Sequence, residues 1–161
     1  MGKWQKGVYQ VQNPQKYIGA KFPTYRSSWE KRFCVMCDTH PNILKWASEN
    51  IKIPYTNPAT GRIHNYIPDF LIQYMDESGV HHTELIEIKP SGQTTLENAR
   101  SLSEKQAVII NSAKWAAAQE WCKKRDIKFR VINEQHIFAT NKKRNPKKRI
   151  SKSRIPPKRK K

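Results

Sequence analysis

The sequence predicts one α/β domain in which a mixed central sheet is flanked by helices, with a basic arm at each end. The chain has 161 residues, enough for a single ordinary domain. Two segments with helical periodicity alternate with short β-rich segments. A net charge of +18 is concentrated near the two ends. We therefore expect a globular domain over residues 27–140, a basic and aromatic arm over 1–26, and a disordered basic tail over 141–161.

The first helix is predicted over residues 27–38. Ser27 is a good N-cap, and Glu30 stands three residues later, as in a capping box. His40-Pro41-Asn42 then ends the helix. Two short β-rich segments follow, and they predict strands over 43–48 and 51–55.

A long hairpin is predicted next. A turn cluster at 57–61 precedes a strand over 62–75, and Asp76-Glu77-Ser78-Gly79 is a turn that leads to a returning strand over 80–89. Cross-strand partners in a hairpin keep a constant index sum, here 155, or 156 if Gly79 forms a bulge. Asp69 therefore faces either Ile86 or Glu87.

The remaining elements are a long helix over about 101–125, a buried strand over 128–133 and a short element over 134–140. The apolar stripe of the helix is assigned to Leu102, Ile109, Ala113, Ala116, Ala117 and Trp121.

The charge distribution predicts a polyanionic partner, with nucleic acid as the leading candidate. The sequence has 31 basic and 13 acidic residues; residues 1–29 hold five basic residues and residues 141–161 hold twelve, both without an acid. Such an excess favours a polyanion. No apolar stretch is long enough to span a bilayer, and no secretory h-region is present, so we expect a protein that is neither membrane-spanning nor secreted.

The three cysteines are interpreted as buried thiols. Cys34 and Cys37 form a C-x-x-C with His40 nearby, and Cys122 could complete a zinc set. Both residues of the C-x-x-C nevertheless lie inside the predicted first helix, where small buried hydrophobes are expected.

The hairpin brings together two acids and a base. Asp69 meets the returning strand, on which Glu87 and Lys89 share a face because strand side chains alternate. An ionised group is costly beside apolar neighbours, and a metal ion would offset that cost. Two carboxylates with oxygens from substrate and water form the kind of site that Mg²⁺ prefers. The neighbours are Ile67, Pro68, Phe70, Leu71, Ile72, Leu85, Ile86 and Ile88.

Pro68-Asp69, followed after seventeen residues by Glu87-Ile88-Lys89, resembles the PD-(D/E)xK nuclease signature. The stretches 24–30, Pro54-Tyr55 and 85–90 are similar to the head completion nucleases of T4-like tailed phages, themselves akin to TnsA-type transposase endonucleases. The resemblance implies a restriction-endonuclease-like fold and a Mg²⁺-dependent DNA endonuclease, with Mn²⁺ as a substitute. It implies Glu30, Asp69, Glu87 and Lys89 as catalytic residues, with Asp69, Glu87 and Glu30 holding the metal.

The resemblance also implies a setting. The enzyme would act in the host cytoplasm on packaged or protruding DNA as the filled head becomes ready for its tail. Phage portal or neck proteins are then expected partners, and the virion head or neck is a further expected location.

Other interpretations remain open from the residues alone. Asp69, Glu87 and Lys89 could be a structural ion pair with a spare acid, and the capping box is a complete local explanation for Glu30. Lys105 or Gln106 could reach the site from the long helix. The whole protein could be a non-catalytic DNA-binding virion protein, or a related nuclease in repair, junction resolution or transposition.

Overall fold

The computed structural model describes residues 5–139, so the predicted basic tail, 141–161, lies outside the described residues. The elements in chain order are β1 Gly7–Val8, β2 Thr24–Tyr25, α1 Ser28–Thr39, β3 Ile43–Ser48, β4 Ile53–Thr56, β5 Ile63–Tyr66, β6 Phe70–Met75, β7 His81–Ile88, α2 Leu102–Lys123, β8 Lys128–Ile132 and α3 Glu134–Ala139.

The central sheet has the strand order β3-β6-β7-β8. β6 pairs antiparallel with both β3 and β7, whereas β7 pairs in parallel with β8. A parallel pair needs a crossover connection, and α2 lies within that connection. The predicted mixed sheet with flanking helices is confirmed.

The register of the β6–β7 hairpin is the one with a bulge at its turn. Met75 pairs with His81 and Phe70 pairs with Ile86, which gives an index sum of 156. Gly79 has a φ of 82°, in the left-handed region that favours glycine. The same sum places Asp69, just before β6, across from Glu87.

The predicted strand over 62–75 is wrong in one respect, because it is two strands. β5 pairs antiparallel with β4 in a separate two-stranded sheet, and β6 starts only after Ile67-Pro68-Asp69. Pro68 is fully buried and has no N–H with which to continue a ladder. The break lets the chain leave the small sheet and enter the central one directly at Asp69.

Two hydrophobic cores lie on opposite faces of the central sheet. The first contains Ile86 and Ile88 of β7 and packs under α1, whereas the second contains Leu85 and packs under α2 and the β4–β5 hairpin. Strand side chains alternate between faces, so Glu87 points toward the second core. The central sheet therefore has one face that packs under α1, the α1 side, and one that packs under α2, the α2 side.

The apolar stripe predicted for α2 is right in part: Ala113, Ala117 and Trp121 pack against the second core, whereas Leu102 and Ile109 do not. The buried residues of α2 are Val108, Asn111, Ala118 and Cys122. Leu102 is 74% exposed and Ile109 is 52% exposed. The fully buried positions are thus mostly small residues and one amide, with Ile110, Trp115 and Trp121 packed beside them.

Residues 5–26 pack against the domain, and Asp38 of α1 holds them. Asp38 is fully buried and accepts hydrogen bonds from the Tyr9 hydroxyl (2.9 Å) and from the backbone N–H groups of Gln12 (2.7 Å) and Asn13 (3.0 Å). Burial opposes ionisation, but these bonds hold the pKa of Asp38 below its usual value. A carboxylate inside α1 therefore anchors the N-terminal segment.

The cysteines are buried and free, as predicted: Cys34 and Cys37 on α1, and Cys122 on α2. Burial raises the pKa of Cys34 to about 12, which keeps its thiol protonated. In the part of the chain that the structure describes, no helix is both long and apolar enough to cross a membrane.

Candidate functional site

Asp69, Glu87 and Lys89 meet at one end of the β6–β7 hairpin. The backbone N–H of Ile88 donates to Asp69 Oδ2 at 2.7 Å, which fixes the aspartate against β7. Lys89 Nζ lies 3.1 Å from Glu87 Oε1. The hairpin register and the alternation of β7 together bring the three side chains to the α2 side of the sheet.

Glu87 is held at both oxygens. Lys89 contacts Oε1, and the Tyr66 hydroxyl donates to Oε2 at 2.9 Å. Glu87 is only 3% exposed, so these two partners replace the water that a carboxylate would otherwise bind. Tyr66 comes from the last position of β5, immediately before the break at Pro68. The small sheet thereby supplies a residue that orients the acid.

Asp69 has an unfavourable electrostatic environment. Burial, then the neighbouring Glu87 carboxylate, raise the pKa of Asp69 well above its usual value, against the opposing effects of the Ile88 N–H and of Lys89. One ammonium beside two carboxylates leaves negative charge uncompensated. An added positive charge would therefore stabilise the Asp69 and Glu87 carboxylates.

Lys89 stays an ammonium. Burial alone would lower its pKa, but the Glu87 and Asp69 carboxylates outweigh burial and raise the pKa of Lys89 above its usual value. Lys89 therefore carries a positive charge at neutral pH, and its ammonium forms an ion pair with the Glu87 carboxylate.

Glu30 lies near the other acids without contacting them. Its Oε2 accepts from the Arg26 backbone N–H at 2.7 Å, its Oε1 accepts from the Ser27 hydroxyl at 3.0 Å, and its own N–H donates to Ser27 Oγ at 3.1 Å. The local capping interaction predicted from the sequence is therefore present. Glu30 also contributes to the raised pKa of Asp69, so its charge reaches the site.

Glu49 is a site neighbour that the sequence did not indicate. Its backbone N–H donates to the Asp69 carbonyl at 2.9 Å, and its φ is 47°, an uncommon value for a residue with a side chain. Its carboxylate is paired with Arg26 Nη1 at 2.5 Å. The strained turn at Glu49 thus helps to place the backbone of Asp69.

Lys114 is the second residue that sequence reasoning missed. The residues considered on the long helix, Lys105 and Gln106, are both exposed. Lys114 instead lies 5.8 Å from the ring centroid of Tyr55 and 5.9 Å from that of Tyr66. Its position between the buried Asn111 and Ala118, at helical spacings of three and four, is the signal that could have identified it.

The donor chemistry fits a hard divalent cation. Asp69 and Glu87 supply carboxylate oxygens, the ligands that Mg²⁺ and Mn²⁺ prefer, and a cation would offset the repulsion between the two carboxylates. Within residues 5–139, no group of three or more His, Cys, Asp or Glu side chains could hold a metal ion by itself. Oxygens from substrate and water would have to complete the coordination, as is usual for Mg²⁺.

Two comparisons with known proteins agree with this geometry. The family model described as TnsA-like endonuclease N terminal matches residues 40–134, which run from the end of α1 into α3. A protein of Enterobacteria phage T4 named head completion nuclease is 37% identical over 149 residues, covering 86% of this chain and 93% of the phage protein. The chain therefore belongs to the family of head completion nucleases, with a TnsA-like endonuclease domain.

Proposed function

We propose that this chain is a Mg²⁺-dependent DNA endonuclease that acts in phage head completion. The observation that carries the proposal is the meeting of Asp69, Glu87 and Lys89 at one end of the β6–β7 hairpin, inside the segment that matches the endonuclease family. Two acids with a single paired ammonium favour a metal-binding site over a self-contained ion pair, because the ion pair leaves one buried acid uncompensated.

The roles follow from the environment of each group. Asp69 and Glu87 would hold Mg²⁺, for which Mn²⁺ could substitute, and Glu30 would add negative charge from α1. The bound cation supplies neutralisation of phosphate oxygens and a lowered pKa for water. Lys89, fixed by Glu87 at 3.1 Å, orients the attacking water or places its charge near the developing charge on the phosphate. The products are a phosphomonoester and a free hydroxyl, since water replaces one ester oxygen at phosphorus.

The substrate is double-stranded DNA that has been packaged or protrudes from the filled head. The name of the T4 relative supports the head completion setting, and the net charge of +18 supports a polyanionic substrate. This setting places the enzyme in the host cytoplasm during assembly, or in the virion head or neck, with portal or neck proteins as its partners.

A plasmid-nicking assay tests the proposal. Supercoiled DNA is incubated with the wild-type protein in Mg²⁺, in Mn²⁺ and in EDTA, together with Asp69→Ala, Glu87→Ala and the control Glu77→Ala. Glu77 is an exposed acid in the turn of the same hairpin, at the end opposite the site. We expect nicking in Mg²⁺ and Mn²⁺ only, a loss of about 10³-fold or more in the two site variants, and wild-type rates for Glu77→Ala.

Duplex binding in Ca²⁺ and circular dichroism accompany the assay, and both should be retained in Asp69→Ala and Glu87→Ala. Wild-type nicking by Asp69→Ala in Mg²⁺ would overturn the site assignment. Metal-independent nicking by the wild type would overturn the cofactor.

A further inference from the structure

Lys114 occupies an unusual place for a lysine. It lies in the middle of α2 and is only half-buried, with its ammonium near the faces of Tyr55 and Tyr66. The hydroxyl of Tyr66 is the group that holds Glu87 Oε2. Lys114 thus contacts the tyrosine ring whose hydroxyl binds Glu87, and it lies on the α2 side of the sheet, toward which Glu87 points.

The ammonium of Lys114 lacks a fixed anionic partner. Among residues 5–139 it forms neither a hydrogen bond nor an ion pair, although two tyrosine rings give it cation–π contacts. A half-buried ammonium has three donors, and those of Lys114 have no acceptor among residues 5–139, so they are available to an anion that approaches. Such an arrangement is typical of a cation whose acceptor is not part of the folded chain.

The charges around Lys114 indicate what that acceptor is. The Glu87 and Asp69 carboxylates and the Lys89 ammonium are close enough to act on Lys114 electrostatically. Glu87 already engages Lys89 and Tyr66, however, and one oxygen of Asp69 is engaged by the Ile88 N–H, so neither acid forms an ion pair with Lys114 among residues 5–139. Lys114 therefore remains the site cation that is available to a substrate anion.

We propose that Lys114 is a second lysine of the active site and contacts a non-bridging oxygen of the DNA phosphate at Asp69 and Glu87. This inference rests on the proposed function and adds a substrate contact to it. A lysine binds phosphate as a point charge with three donors, and contact with two tyrosine rings limits the positions that its ammonium can take. The contact would hold the phosphate while Lys89 remains with Glu87.

The test compares four variants. Lys114→Met and Lys114→Gln remove the charge and keep much of the side-chain volume, whereas Lys114→Arg keeps the charge. Lys123→Met is the matched control, because Lys123 is exposed in the last turn of the same helix. That turn leads to the start of β8, which pairs with Glu84, far from the site end of β7.

Two measurements separate a phosphate contact from a packing role. The first is single-turnover cleavage in Mg²⁺; we expect losses of about 10²-fold for Lys114→Met and Lys114→Gln, as when one charge-stabilising donor is removed. Lys114→Arg should recover most of the rate. The second is binding of a short duplex in Ca²⁺ at several salt concentrations, where both neutral variants should flatten the log–log salt slope by about 0.9. Lys123→Met should match the wild type in both.

Each contrary outcome has a distinct meaning. If the wild type and Lys123→Met do not cleave, the proposed function fails. If they cleave and both neutral variants match them in rate and slope, the Lys114 contact is overturned while the nuclease stands. A slower rate with an unchanged slope in folded Lys114→Met and Lys114→Gln also overturns the contact, because it assigns Lys114 to packing against Tyr66.

Discussion

At the scale of single residues, Glu87 is the most constrained of the site acids. One carboxylate oxygen contacts Lys89 and the other accepts from Tyr66. These two contacts fix the orientation of the side chain and take the place of water at its oxygens. Asp69 is fixed at one oxygen by the Ile88 N–H, and no hydrogen bond within the described residues fixes its other oxygen. In a metal complex, the free oxygen of Asp69 is therefore the one to which a cation has the easiest access.

Glu30 has two candidate roles, capping α1 and adding negative charge at the site, and one substitution can distinguish them. Glu30→Gln keeps an oxygen that can accept from Ser27 and Arg26 but removes the charge. Because the Glu30 charge reaches Asp69, we expect slower cleavage with an unchanged thermal midpoint. The measurement is plasmid nicking in Mg²⁺ with a parallel thermal melt. Full activity with native stability would restrict Glu30 to capping α1.

The sequence predicted some site residues and missed others for a physical reason. Asp69, Glu87 and Lys89 are related by hairpin register and strand alternation, which are local rules. Tyr66 contacts Glu87, and Lys114 contacts Tyr66, only because a small hairpin and a helix pack on the same side of the sheet. That packing depends on the whole chain, so helical spacing could place Lys114 on the packed face of α2 but not beside Tyr66.

At the scale of elements, the fold was predictable wherever a turn or cap residue marks a boundary. Ser27 and Ser101 are the N-caps of α1 and α2, and Gly79 sets the bulged turn between β6 and β7. The division of the long segment into β5 and β6 was missed because both halves are rich in β-forming residues. Only the pairing of β5 with β4 shows why Pro68 ends a strand.

Asp38 provides a test of how α1 and the N-terminal segment depend on each other. Asp38→Asn replaces a buried carboxylate that accepts from Tyr9, Gln12 and Asn13 by an amide that cannot accept at both ends. We expect a loss of about 2–4 kcal/mol in the free energy of unfolding at neutral pH. Urea titrations measure it, with the exposed Glu120→Gln as a control that should change stability by less than about 0.5 kcal/mol.

The sign of the pH dependence follows from the lowered pKa of Asp38, in which burial is outweighed by the hydrogen bonds it accepts. A carboxyl with a lowered folded pKa adds stability above its unfolded pKa, about 3.9, and that stability is lost as the pH falls through the folded value. The difference between wild type and Asp38→Asn should therefore shrink in acid. A difference that stays constant down to about pH 2 would contradict the role of the charge.

At the scale of the whole molecule, charge and chemistry occupy different parts of the chain. Residues 30–140 hold all thirteen acidic residues and fourteen basic ones, whereas residues 141–161 hold twelve basic residues and no acid. The site side chains Asp69, Glu87 and Lys89 all belong to the nearly neutral part. DNA affinity and phosphodiester cleavage should thus be separable.

Deleting residues 141–161 tests this separation. Each phosphate neutralised by a basic side chain adds about 0.9 to the slope of log affinity against log salt, so the deletion should flatten that slope by several units. Cleavage in Mg²⁺ should persist at low salt. The measurement is binding of a short duplex in Ca²⁺ at several salt concentrations, full-length against truncated. An unchanged slope would indicate that the tail binds an acidic protein surface rather than DNA.

The path of the chain through the sheet has a consequence for the order in which the molecule assembles. β6 and β7 are joined by a short turn, whereas β8 reaches β7 only after the chain has passed through α2. Closing the shorter loop costs less entropy, so we expect the hairpin to form early and the parallel pair late. Asp69 and Glu87 then meet before Lys114 arrives with its helix. We therefore expect the repulsion between the two acids to oppose folding at that stage, and a divalent cation to relieve that repulsion.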